Sequence, residues 1–313
     1  MKAKNIGTMV WTGVALAACL LLPAYLTAAP LLEYRFNEAG GTTATNTGFA
    51  VGGLSDPAQM YDSGLNDADL HSADGTGVSG LAGDRALDNT LEGGGAAGGL
   101  AGHTGTIATP APPVSVESLT LSGWLKNVDT AHMGSPKYIY MNETGSGPST
   151  RTALLLHPWG TLQLVVSNGS NNISTEGAYN SIYEGGNAGA APDWTFFAVT
   201  FDGTSASESD RMKFYVGNTT TAVSLVNVNI STATSTEHNK WFGVGNISLV
   251  YGAVQPVIGL IDNFRIWHEA TGSAGALSMS ELEAFRAADI IPEPATMALL
   301  GLGGVLMLVR RRR

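Results

Sequence analysis

Cysteine is almost missing from this chain of 313 residues: the single one is Cys19. One thiol allows no internal disulfide, no cysteine-built zinc site and no redox pair, so stability must come from buried apolar surface. Basic residues are also scarce, 16 against 26 Asp and Glu, and charged residues make up only 13% of the chain. Six of the sixteen stand at the two ends, as Lys2, Lys4 and Arg310, Arg311, Arg312 and Arg313; without them ten face 26 acids, a net charge of −16. A surface of that sign repels nucleic acid and anionic lipid and favours cations such as calcium. Catalytic patterns are missing too. The histidines His71, His103, His132, His157, His238 and His268 contain no i, i+4 pair, which argues against zinc. No Gly-x-Ser-x-Gly elbow is present, although a Ser/His/Asp triad scattered along the chain stays open. Hydrolysis of a polysaccharide needs two carboxylates roughly 5 to 10 Å apart. Glu176 and Glu184 lie in a Gly/Asn-rich loop and Glu208 and Asp210 in a Ser-rich turn, where acids are solvated rather than paired across a groove.

Both ends carry addresses. Lys2 and Lys4 precede a mostly apolar stretch from Met9 to Leu26, and Thr27-Ala28-Ala29 offers small residues to signal peptidase, so residues 1–29 read as a signal peptide. Leu16-Ala17-Ala18-Cys19 also matches a lipobox, but the residues after Cys19 stay apolar. At the other end, Pro292, Glu293 and Pro294 stand before an apolar run from Ala295 to Val309, closed by the four arginines. The prolines stop regular structure. The run has 15 residues, short of the roughly 20 of an ordinary spanning helix. The arginines stay cytoplasmic and hold what precedes them outside. This order of parts resembles the PEP-CTERM protein-sorting domain of Gram-negative bacteria. The resemblance implies export, transient anchoring in the inner membrane, processing by an exosortase, and release to the cell surface or extracellular matrix.

Between the ends, residues 30–290 read as one β-rich domain. Strand-like runs separated by turn residues begin at Leu31 to Phe36 and continue at Leu119 to Lys126, Lys137 to Asn142, Ala153 to His157 and Thr161 to Ser167. Further runs are Trp194 to Phe201, Arg211 to Val216, Ala222 to Ile230, Trp241 to Val244 and Val257 to Trp267. The stretch from Thr42 to Gly105 is rich in Gly, Asp and Ser and reads as long loops with one or two short strands. Trp194 to Phe201 is apolar on both faces, the mark of an inner strand in stacked sheets. Ser278-Met279-Ser280-Glu281 is a capping box, and Leu282 and Phe285 follow on one helical face. The fold class expected is all-β: a two-sheet antiparallel jelly-roll sandwich with short terminal hydrophobic helices.

Four blocks in order resemble the laminin G-like, concanavalin A-like jelly-roll superfamily. They are Leu31 to Glu38, Leu119 to Lys126, Asp193 to Gly203 with Met212 to Gly217, and Gly259 to Trp267; a closing Leu277-Ser278 and Glu281-Leu282 follow. The last block carries Asp262-Asn263 where that family has an aspartate pair. Members of the superfamily are lectins, adhesion modules and some polysaccharide hydrolases, so fold alone does not fix function. The resemblance implies a calcium site (Ca2+) formed by Asp262 with Asn37 or Glu38; the loop acids Asn66-Asp67-Ala68-Asp69 with Asp74 form a second candidate. Trp159, between His157-Pro158 and Gly160, is the candidate sugar platform. Taken together these features describe a non-catalytic adhesion or polysaccharide-binding protein. The alternatives are a polysaccharide hydrolase or lyase on the same fold and a purely structural coat component. The partners implied are the exosortase, signal peptidase, the inner membrane and a polysaccharide or surface glycan, with no nucleic acid.

Overall fold

Along Thr195–Asp202, Phe197, Val199 and Phe201 alternate with Phe196, Ala198 and Thr200, and all six are buried. A strand closed on both faces needs a layer on each side, and the computed structural model has both. It describes residues 29–48, 57–62, 66–90, 99–103, 114–126, 128, 135–143, 151–158, 160–167, 172–174, 193–238, 241–246 and 256–290.

In chain order the strands are β1 (Leu32–Tyr34), β2 (Thr43–Ala44), β3 (Ala58–Tyr61), β4 (Leu87–Asp88), β5 (Gly99–His103), β6 (Val114–Val116), β7 (Ser118–Lys126), β8 (Lys137–Glu143) and β9 (Arg151–Leu156). Then come β10 (Leu162–Ser167), β11 (Asn172–Ser174), β12 (Thr195–Asp202), β13 (Met212–Asn218), β14 (Ser224–Asn229), β15 (Thr236–His238), β16 (Trp241–Val244) and β17 (Leu260–Glu269). One helix, α1 (Met279–Ile290), follows. The first sheet has the order β1-β17-β7-β12-β13-β14, with β4 beside β17; the second has the order β11-β10-β9-β8-β16-β5-β3-β2. Every pairing within these two sheets is antiparallel, and the first and last strands lie together, Leu32 opposite Ile266. This is the two-sheet jelly-roll sandwich expected from the sequence.

The core lies between the sheets, where Leu121, Phe197 and Ile266 meet Ile139, Leu154, Leu164 and Phe242. Two ring contacts cross the layer, Tyr34 to Phe242 at 6.1 Å and Tyr140 to Phe264 at 5.7 Å between centroids, and Phe242 lies 6.4 Å from Tyr140 within the second sheet. A second apolar cluster covers the outer face of the first sheet. There Trp124, Trp194, Phe196 and Trp267 pack under Val78 and Ala86 of a long loop and under Leu282 and Phe285 of α1. The capping box forms as read: Ser278 N donates to Glu281 Oε2 at 2.8 Å, and Glu281 N approaches Ser278 Oγ at 3.4 Å. Trp194 belongs to the buried cluster, with the Lys126 ammonium 5.7 Å from its ring centre.

The stretch from 42 to 105 departs from the sequence reading, because it supplies β2, β3, β4 and β5 rather than one or two strands. Glycines hid β5. At Gly99 an added Cβ would stand 2.8 Å from Asn246 Cβ and 3.0 Å from the Tyr61 hydroxyl, so close packing excludes the residues that mark a strand. Pairing with β3 and β16 then overrides a weak local preference. No helix among the described residues is long and apolar enough to cross a membrane. Residues 1–28 and 291–313, which carry the apolar ends, lie outside the described residues.

One irregularity positions the charged groups. The pairing of β17 with β7 shifts between Asp262 and Arg265, so Asp262 faces Trp124 and Arg265 faces Ser122. The extra residue is absorbed at Asn263, whose φ is +45°. Trp124 and Ser122 are two apart on one strand and share a face, so the bulge turns both Asp262 and Arg265 to the outer side while Phe264 enters the core. Asn263 suits this position, because Asn tolerates the left-handed region better than most residues. Asn263→Val is expected to lower stability by about 1–2 kcal/mol and Asn263→Gly to leave it near wild type. Urea midpoints of the two variants measure this.

Candidate functional site

A guanidinium that is 2% exposed organises the outer face. Arg265 Nε donates to Glu33 Oε1 at 2.7 Å; Nη1 and Nη2 donate to Asp289 Oδ2 and Oδ1 at 2.8 and 2.6 Å. Trp124 Nε1 donates to Asp289 Oδ2 at 2.7 Å, and Thr47 Oγ1 to Glu33 Oε2 at 2.8 Å. The Arg265 guanidinium also lies 5.3 Å over the Phe285 ring. The first strand, the central strand, the last strand and the helix thus share one charge. Burial opposes ionisation of Glu33, but the Arg265 and Arg35 charges and the hydrogen bonds from Arg265 and Thr47 outweigh it and hold the carboxyl below its ordinary range. Arg265 is likewise pushed up, against burial, by Asp289 and Glu33.

At the rim the same strand delivers a second cluster. β1 ends at Tyr34; two residues on, the buried Phe36 has a φ of +56°, and the chain turns into Asn37 and Glu38. Glu38 Oε1 accepts from Thr45 N at 2.6 Å, and Glu38 Oε2 lies 3.1 Å from His71 Nε2. The other ring nitrogen, Nδ1, lies 2.8 Å from Asp69 Oδ1, and Asp69 Oδ2 accepts from Gly41 N at 3.0 Å. With a carboxylate on each nitrogen, both must donate, and the ring is an imidazolium. Burial works against that charge, but the hydrogen bonds to Glu38 and Asp69 outweigh it and raise His71 above its ordinary value. Glu38 is held at about 2, with burial opposing and the bonds from His71 and Thr45 prevailing. Sequence reading missed this cluster because its members are 33 residues apart. The local signal was Asp69-Leu70-His71: in an extended chain the acid and the ring share a side while Leu70 enters the core.

The sequence-derived calcium ligands have other partners. Asp262 is fully buried; its Oδ2 accepts from Val78 N at 2.8 Å and its Oδ1 from Asn263 N at 2.6 Å. Desolvation, with the Asp84 and Asp289 charges, pushes its carboxyl well above the ordinary range despite the two N–H donors. Asn37 Oδ1 accepts from Arg85 N at 2.9 Å, and Glu38 is turned to His71. Calcium takes six to eight oxygens, several of them ionised carboxylates, so Asn37, Glu38 and Asp262 do not fit that ion as they stand. Three residues of the second candidate set are likewise occupied: Asn66 bonds Asp62, Asp69 bonds His71, and Asp74 accepts from Gly83 N. Among the described residues no group of three or more His, Cys, Asp or Glu is placed to hold a metal. Trp159, Cys19, Glu176, Glu184, Pro292 to Pro294 and Arg310 to Arg313 lie outside the described residues.

Helix α1 ends at Ile290, and the family model described as the PEP-CTERM protein-sorting motif matches residues 291–313. The chain carries a PEP-CTERM sorting motif. That motif implies an exported protein processed by an exosortase. No curated protein matches the chain. The chain is similar to several solved structures. The heptameric SAP-like pentraxin of Limulus polyphemus has 15% identity and a TM-score of 0.34, with 59% of this chain and 80% of that chain covered. CBM40 of the Ruminococcus gnavus IT-sialidase, bound to α2,6-sialyllactose, has 14% identity and a TM-score of 0.36, covering 54% of this chain and 82% of that one. Domains LG4-5 of the mouse laminin α1 chain have 13% identity and a TM-score of 0.33, over 57% and 43%.

The rim cluster sets a pH window. A raised imidazole contributes stability that is complete below its unfolded value of 6.5 and is lost as pH rises through the higher folded value. Glu38 contributes stability present above 4.5 and lost as pH falls toward about 2. The rim is therefore most stable between these limits, and His71→Gln is expected to flatten the alkaline side of the profile. Urea midpoints of wild type and variant at a series of pH values measure this.

Proposed function

We propose that this chain is a surface or extracellular-matrix protein whose jelly-roll domain has a non-catalytic role in adhesion or polysaccharide binding, and that an exosortase releases it from the inner membrane to that destination. The observation that carries the reading is the PEP-CTERM motif at residues 291–313, placed directly after a folded acidic domain that ends at Ile290. Chemistry at the rim agrees with a binding role. A general base must offer a free nitrogen to the proton it removes, and both nitrogens of His71 face carboxylates. Glu33 and Asp289, which share Arg265, are 8% and 4% exposed, so they do not flank a solvent groove as a glycosidase pair does.

The ligand expected is a polysaccharide or surface glycan, with specificity in the loops. Calcium belongs to this reading as a variable of the assay. Residues 30–290, screened on a glycan and polysaccharide panel with calcium and with a chelator, are expected to bind without releasing product. Depolymerisation would overturn the non-catalytic reading. No binding in either condition would overturn glycan recognition and leave contacts with other proteins as the domain's role.

A further inference from the structure

The PEP-CTERM match begins at residue 291, and α1 runs to Ile290. No linker separates them. The last turn of the helix is itself held by side-chain bonds. Asp289, with a side chain 4% exposed, receives two N–H groups of Arg265 and the indole N–H of Trp124. Upstream, Arg286 Nη1 donates to Asn218 O at 2.6 Å, and Glu283 Oε2 accepts from Val223 N at 2.8 Å. The helix is thus tied to the central strand, the last strand and the β13–β14 turn.

Four residues, Ile291 to Pro294, stand between this helix and the apolar run that starts at Ala295. Fully extended they span about 14 Å, so with the run in a bilayer the domain sits close against the membrane. An enzyme that cuts a backbone bond needs the chain around it opened from the fold, as proteolysis reaches locally unfolded segments. Counting back from Pro292, three residues reach Asp289, which is helical and buried.

We propose that the Asp289 clasp is a brake on exosortase processing, so that the enzyme acts on the fraction of molecules whose last helical turn has released from Arg265 and Trp124. This rests on the sorting reading above. The step is the breaking of one backbone amide at the motif. The domain keeps the new acyl end, as an acid if water attacks and as an amide if an amine does, and the apolar arginine-ended piece keeps the new amino group. When a segment opens and closes faster than it is cut, cleavage follows the open population. The clasp lowers that population.

The full chain, expressed in its native host, gives the test through the processed fraction over time, read by mobility on an immunoblot. Inserting Gly-Ser-Gly-Ser between Ile290 and Ile291 leaves the clasp intact and gives the enzyme free chain. It is expected to raise the processing rate by at least about threefold. Asp289→Ala opens the helix end and is expected to act in the same direction, with the insertion deciding the matter if that variant fails to fold. Glu293→Ala is expected to stop processing. Processing that depends on Glu293 but proceeds at the wild-type rate in the insertion variant would overturn the brake alone. Equal behaviour of wild type and Glu293→Ala would remove the sorting reading, and the brake with it.

Discussion

The structure depends on keeping one guanidinium satisfied in a dry place. Arg265 stands on the last strand with its donors turned to Glu33 of the first strand and Asp289 of the helix. Removing one partner of such a pair costs about 3–5 kcal/mol, because the remaining charge stays buried. The three groups come from positions 33, 265 and 289, so the network closes only when both ends of the domain have reached the same face of the sheet. Helix α1 buries little apolar surface of its own, chiefly Leu282 with Phe285 and Ile290 at the edge, and a 12-residue helix is marginal in water. Its position is set by charge as much as by packing.

The same logic changes the meaning of the acidic composition. A net charge of −16 reads as a negative surface, yet several of those acids are turned inward. Glu33 and Asp289 neutralise Arg265, Asp262 holds the amides of Val78 and Asn263, and Asp84 Oδ2 accepts from Ser79 N and Ser79 Oγ, each at 2.7 Å. Glu38 and Asp69 clasp His71. Loops rich in glycine have many amides to satisfy, and carboxylates are strong acceptors for them. Of the acids singled out for calcium, Glu38, Asp69, Asp74 and Asp262 serve this purpose.

Much of the architecture was legible because it is written in period-two alternation. Thr195–Asp202 showed both of its faces, and the burial of Phe196 and Phe197 on opposite sides follows directly. The capping box at Ser278 and Glu281 was equally plain, because both partners lie within one helical turn. β5 was hidden, since a glycine kept small by a neighbouring strand gives no strand signal. The bulge at Asn263 was hidden for another reason: the residue type is permissive, and only the register of β17 against β7 shows which way Asp262 and Arg265 face. The His71 cluster joins residues brought together by tertiary structure, and only its Asp69-Leu70-His71 half is local. The sorting motif was readable in full, because it is a linear signal addressed to another protein.

Amide hydrogen exchange on Asp289→Asn tests the central claim most directly. The substitution keeps the size of the side chain and removes its charge, while Arg265 retains Glu33. If charge holds the helix, amides within 283–290 lose protection by at least about tenfold while those of β7 and β12 keep theirs. A helix as protected as in wild type would mean that apolar packing alone seats it, and Arg265 would lose its place as the interaction on which the outer face depends.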